Sequence, residues 1–126
     1  MVSEQEDLIA AAIVDSALTV HRRLGPGLLE SVYEICLFHE LSKRSIPSER
    51  QVGFPIRYDD LKIESGLRLD LLVDGLVVVE IKAVEKLAPV HQAQLLTYLK
   101  LTNKRLGFRI NFNVPLIKEG IKRMVI

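Results

Sequence analysis

The chain has 126 residues, of which 48% are hydrophobic and 26% charged, and a formal net charge of +1. That length suits one domain with a substantial core, and so small a net charge gives no basis for tight, non-specific binding of nucleic acid. The apolar runs fall far short of the ~20 residues of a membrane span, and a single cysteine, Cys36, excludes a disulfide framework or a cysteine-based zinc site.

The first residues, MVSEQEDLIAAA, are acidic ahead of their apolar part. This is the wrong polarity for a secretory signal, so the expected location is the cytoplasm. Ser3 and Glu6 have capping-box spacing, which predicts a helix from there to Leu24. Leu8, Ile9, Ile13, Ala17, Leu18, Val20 and Leu24 form its apolar face. Gly25-Pro26-Gly27 ends it, because glycine can take the left-handed position after a helix and proline cannot continue one. A second helix is expected from about Leu28 to Arg44. Its apolar residues (Leu29, Val32, Tyr33, Ile35, Cys36, Leu37, Phe38, Leu41) lie almost all round, which predicts burial on more than one side. Cys36 reads as a small core residue.

From Gln51 the periodicity changes. QVGFPIRY, LKIE, LRLDLLV and LVVVEIKA read as strands separated by Asp59-Asp60, Ser65-Gly66 and Asp74-Gly75. Turns so short force antiparallel neighbours, and Ser65-Gly66 also fits a bulge inside one long bent strand. Pro89 suits the first turn of a third helix, PVHQAQLLTYLKLTN, ending near Asn103. RLGFRINFN is a further strand and GIKRMVI a short last one. The predicted order is α-α-β-β-β-α-β-(β), helices packed on a mixed sheet.

Charged residues interrupt the apolar hairpin of residues 67–83. Asp74 is turn chemistry beside Gly75, but Asp70, Glu80 and Lys82 fall within strands. Glu80 and Lys82 follow Leu76-Val77-Val78-Val79, a run expected of a strand covered on both faces. Being two apart, they share a face. The similar triplet Asp60-Leu61-Lys62 lies at a polar turn, where solvated charge costs little. Burying a lone charge is expensive, so such groups are paired or bound to metal. Two readings fit: an internal Glu80–Lys82 or Asp70–Lys82 ion pair at a sheet edge, or a site where two carboxylates supply hard oxygen ligands for Mg²⁺ or Mn²⁺. In the second, Lys82 orients a water or stabilises charge on a phosphate. A two-residue hairpin at Asp74-Gly75 would set Asp70 opposite Val79 and turn the carboxylates to opposite faces. A shared metal therefore predicts a one-residue offset, from a three-residue loop or a bulge near the turn.

Asp70 followed ten residues on by Glu80-Ile81-Lys82, between hydrophobic strands and ahead of a helix, resembles the PD-(D/E)XK nuclease superfamily. Gly27-Leu28-Leu29-Glu30-Ser31-Val32-Tyr33 resembles the motif that names its GxxExxY subgroup, as do GLRLDLLVDG, VVVEIKAVEKLAPVHQAQLLTYLKLTN and GFRINFNVPLIKEGIKRMV, so the likeness covers nearly the whole chain. The resemblance implies one domain over residues 1–126, of α/β (α+β) class. Its core would be restriction-endonuclease-like: a mixed sheet of four to five strands with an antiparallel β-meander, flanked by three helices. It implies that Asp70, Glu80 and the carbonyl of Ile81 hold Mg²⁺ or Mn²⁺ and that Lys82 is the catalytic lysine. The superfamily's proline before the aspartate is Leu69 here. Glu30 matches a helix glutamate that reaches the site as a metal or water ligand; read from its surroundings alone, it is a salt-bridge candidate. Gln94 and Tyr98, four apart on the third helix, resemble the QxxxY motif of RecB-like nucleases. Gln94, Tyr98, Tyr33 and Arg68 are therefore expected behind the metal ligands or against phosphate. Without the family, Tyr98 reads as core packing and Gln94 as solvated.

His91 reads as an exposed first-turn residue, and His21 and His39 show no metal-ligand spacing. The basic clusters at 21–23, 104–105 and 118–123 are candidate phosphate contacts if they share the hairpin's side. The expected function is a metal-dependent nuclease acting on DNA, with RNA as an open alternative substrate, no membrane partner, and a homodimer as one candidate assembly. A junction resolvase would use the same chemistry and require that dimer. The rival from another class is a catalytically silent nuclease-like module that binds nucleic acid or a protein partner.

Overall fold

The computed structural model describes residues 1–126. Helix α1, Glu4–Leu24, begins on the predicted capping box. The Glu6 amide donates to Ser3 Oγ (3.1 Å) and the Ser3 amide to Glu6 Oε1 (2.8 Å). Ile9, Ile13, Ala17 and Val20 form its buried stripe, while Leu8, 68% exposed, lies off it. Helix α2, Glu30–Lys43, starts two residues later than expected. It also buries one stripe rather than several sides. Tyr33, Leu37 and Leu41 point inward with Glu34 and Glu40, whereas Ile35 is 49% exposed. The two buried glutamates are satisfied locally: Glu34 accepts from Arg50 and Gln51, Glu40 from Arg44 and Lys43.

Strands β1 (Ser48–Tyr58), β2 (Leu61–Val73), β3 (Val77–Lys82), β4 (Leu106–Asn111) and β5 (Ile121–Val125) form one sheet in that order. β3 and β4 are parallel and the other neighbours antiparallel. Helix α3, Pro89–Thr102, makes the crossover between the parallel pair, as such a pair requires. The expected mixed α+β sheet is present. A one-turn helix α4, Ile117–Gly120, joins the three predicted helices. At four residues it is too short to leave a periodic signal.

Apolar residues lie on both faces. One core joins α1 and α2 to Leu71, Val73, Val79, Ile81, Phe108 and Ile110. The other joins Leu95 and Leu99 of α3 to Leu67, Leu69, Leu72 and Val78. β1 and β2 form a long ribbon whose bulge sets Pro55 against Glu64, Ser65 and Gly66, between the pairs Phe54↔Leu67 and Ile56↔Ile63. Ser65-Gly66 is thus inside β2. Pro55, which has no amide to donate, sits where the ladder is already broken, and a Cβ at Gly66 would run into Ile56.

A second irregularity matters more. Strict alternation would put Leu69 with Leu71, yet Leu69 joins the α3-side core and Leu71 the opposite one. The change of facing occurs at Asp70. Its neighbour on β1, Gln51, has φ 54° and is skipped between the pairs Arg50↔Leu71 and Val52↔Leu69. The β2–β3 ladder also stops there, at Leu71↔Val79. Asp70 therefore sits where the β1–β2 ribbon turns away from the rest of the sheet.

Candidate functional site

The hairpin loop has three residues. Val73 pairs with Val77, leaving Asp74 (φ 53°), Gly75 (φ 65°) and Leu76 outside the ladder. The predicted offset is present, and continuing the register past Leu71↔Val79 sets Asp70 opposite Glu80. Where the ladder would have gone on, the carboxylates take over its hydrogen bonds. The Ile81 amide donates to Asp70 Oδ2 (2.8 Å), and the Asp70 amide donates to Glu80 Oε1 (3.3 Å). Each acid is thus held by the other's strand.

Glu80 is 4% exposed. Desolvation, then the charge of Asp70 and a hydrogen bond between the two side chains, push its pKa up to about 9. The Asp70 amide and Lys82 pull the other way and are outweighed. At neutral pH the metal-free pair keeps a proton. A divalent cation would replace that proton, which is the chemistry expected of a hard-oxygen site. The donor set passes this test with two carboxylates; no third His, Cys, Asp or Glu side chain joins them.

Lys82 forms no ion pair with either acid, and β3 is the central strand of the sheet. The edge ion-pair reading is therefore corrected. Lys82 Nζ donates to Gln94 Oε1 (3.1 Å), and Gln94 Nε2 donates to the Tyr98 hydroxyl (3.0 Å). The i, i+4 spacing on α3 is what aligns the last two. Gln94 is half-buried and bonded, not simply solvated as its surroundings in sequence suggested.

Other expected residues are elsewhere. Glu30 is exposed in the first turn of α2 and makes neither a hydrogen bond nor the anticipated salt bridge. Tyr33 is fully buried. Its hydroxyl donates to Gly25 O (2.7 Å) and accepts from the Leu28 amide (3.0 Å), and its ring stacks on Phe112 at 4.6 Å. An enclosed, fully bonded hydroxyl cannot meet phosphate, so Tyr33 is corrected to a strut fixing the α1–α2 turn. Arg68 is exposed without a partner, two residues before Asp70. His91 Nδ1 accepts from the Ala88 amide (3.0 Å) and closes the start of α3. The basic clusters divide between the faces. Arg123 pairs with Asp7 of α1 (3.2 Å), on the face opposite α3, and residues 21–23 belong to α1 itself.

Sequence reasoning missed two residues of β4. Asn111, 3% exposed and in register with Lys82, takes Val84's amide (3.1 Å) and carbonyl (2.9 Å) with its side-chain amide. It fixes the chain just beyond Lys82. Arg109 is in register with Glu80. A charge within LGFRIN is the same anomaly that singled out Glu80, and the same test applied to β4 finds it.

The family model for the PD-(D/E)XK nuclease superfamily matches residues 7–124. No curated protein and no solved structure matches the chain.

Proposed function

Since the chain belongs to the PD-(D/E)XK nuclease superfamily, we propose that it is a Mg²⁺- or Mn²⁺-dependent nuclease of the GxxExxY subgroup, hydrolysing phosphodiester bonds in DNA. The observation that carries this reading is the meeting of Asp70 and Glu80 across the hairpin, with Lys82 two residues on and held by Gln94. Asp70, Glu80 and the carbonyl of Ile81 would hold the cation, and Glu30 would approach through water. When bound, the cation polarises the phosphate and lowers the pKa of a coordinated water. Lys82 directs its ammonium at the attacking water or at the phosphate oxygens. Gln94, anchored by Tyr98, keeps Lys82 extended and draws its charge away from the buried acids. Arg68 meets the backbone of the substrate.

Incubation of supercoiled and linear DNA with Mn²⁺ tests the proposal. Nicking or degradation by the wild type, abolished in Asp70→Asn and Lys82→Met, is expected; equal activity in all three refutes the assignment. A second reading, a nuclease-like module that binds without cleaving, draws on the absence of a third carboxylate at the pair. Isothermal titration decides between them, since the silent module predicts no Mn²⁺ binding that depends on Glu80.

A further inference from the structure

Asp70 and Glu80 begin a row that continues across the sheet. β4 sets Arg109 beside Glu80, and β5 sets Lys122 beside Arg109. Paired residues share a face, and their neighbours identify it. Gly107, two before Arg109, lies against Leu95 and Leu99 of α3, and Met124, two after Lys122, packs on the same core. Across four strands the row reads acid, acid, base, base. With strands ~4.8 Å apart, the backbones of Arg109 and Lys122 stand about 5 and 10 Å from that of Glu80.

Neither cation joins any of the fold's ion pairs. Arg109 Nε is shut off from solvent and meets no acceptor. A guanidinium's planar fork suits phosphate oxygens. Lys122 is exposed beside it, with no acid between them on the face.

We propose that Arg109 and Lys122 bind a backbone phosphate neighbouring the one addressed by Asp70 and Glu80, so that a nucleic-acid strand crosses the sheet from β3 towards β5. The identity of the cleaved phosphate rests on the nuclease reading; phosphate binding at Arg109 does not. The test is fluorescence anisotropy of a labelled single-stranded DNA in EDTA over a range of salt. Arg109→Met and Lys122→Met should each weaken binding about fivefold near 0.1 M salt and lower the slope of log K against log salt by about 0.7. Arg22→Met, removing an exposed charge on α1, should do neither. Unchanged affinity and slope in both β-strand variants overturns the proposal, as does an equal loss in Arg22→Met or no binding by the wild type. Thermal unfolding checks Arg109→Met for folding, and exposed Lys122 keeps the test intact if that variant fails. Wild-type binding that depends on Arg109 without Mn²⁺ cleavage removes the nuclease reading and leaves this one. Cleavage with Arg109-independent binding does the reverse.

Discussion

Replacing Glu80 by glutamine isolates what the buried acid does to stability. In the unfolded chain its carboxyl titrates at 4.5; in the fold, desolvation and Asp70 raise that to about 9. The folded state therefore binds the extra proton between these values, and stability falls as pH rises through that window. The contribution is complete below pH 4.5 and gone above 9. Each unit is worth 1.36 kcal/mol, so the loss from 4.5 to 7.5 is about 4 kcal/mol, shared by a pair that titrates together. Glutamine can keep the contact with the Asp70 amide and donate to the Asp70 carboxylate without titrating. Urea denaturation of metal-free protein should find the variant close to wild type near pH 5 and several kcal/mol more stable at pH 8. Millimolar Mn²⁺ at pH 8 should narrow that gap by stabilising the wild type alone. Curves for the two proteins that run parallel from pH 5 to 9 would refute the reasoning, because no proton would then be coupled to folding at Glu80.

Gln94→Leu removes the acceptor for Lys82 and should lower Mn²⁺-dependent cleavage about 10–100-fold, with Mn²⁺ affinity by calorimetry almost unchanged. Tyr33→Phe removes the hydroxyl that joins the Leu28 amide to the Gly25 carbonyl, and should cost about 0.5–1.5 kcal/mol in denaturation while leaving Mn²⁺ binding alone. Asn111→Ala should destabilise by a similar amount and speed hydrogen exchange at Val84, whose amide it holds. Gly66→Val should be destabilising because Ile56 fills the space a side chain needs; a thermal midpoint equal to wild type would contradict that packing.

Much of this fold was legible because several local signals agreed. Ser3 and Glu6 fixed the start of α1, Pro89 that of α3, and the apolar run before Glu80 marked a strand covered on both faces. The register at Asp70 was deduced from what two carboxylates sharing a cation require, and the three-residue loop supplied it. What sequence could not reveal came from tertiary choices. The apolar circumference of α2 suggested burial all round, but the sheet covers one side and leaves Ile35 in solvent. Tyr33, four residues from Leu37 on one stripe, points into the α1–α2 turn because Phe112 stacks on it from a remote part of the chain. The change of facing at Asp70 had no local signature, since Gln51 gives no warning of a positive φ.

The three-residue loop makes the site depend on counting as well as on chemistry. Removing Gly75 would leave Asp70, Glu80, Lys82 and Gln94 all in place along the chain, yet the pleat would put the two acids out of phase. A relative with every motif residue intact could thus be inert through one deleted turn residue, and one with a compensating bulge could be active despite an altered spacing. On the proposed nuclease reading, the parity of the hairpin, which no list of matched residues records, is itself a heritable on–off setting.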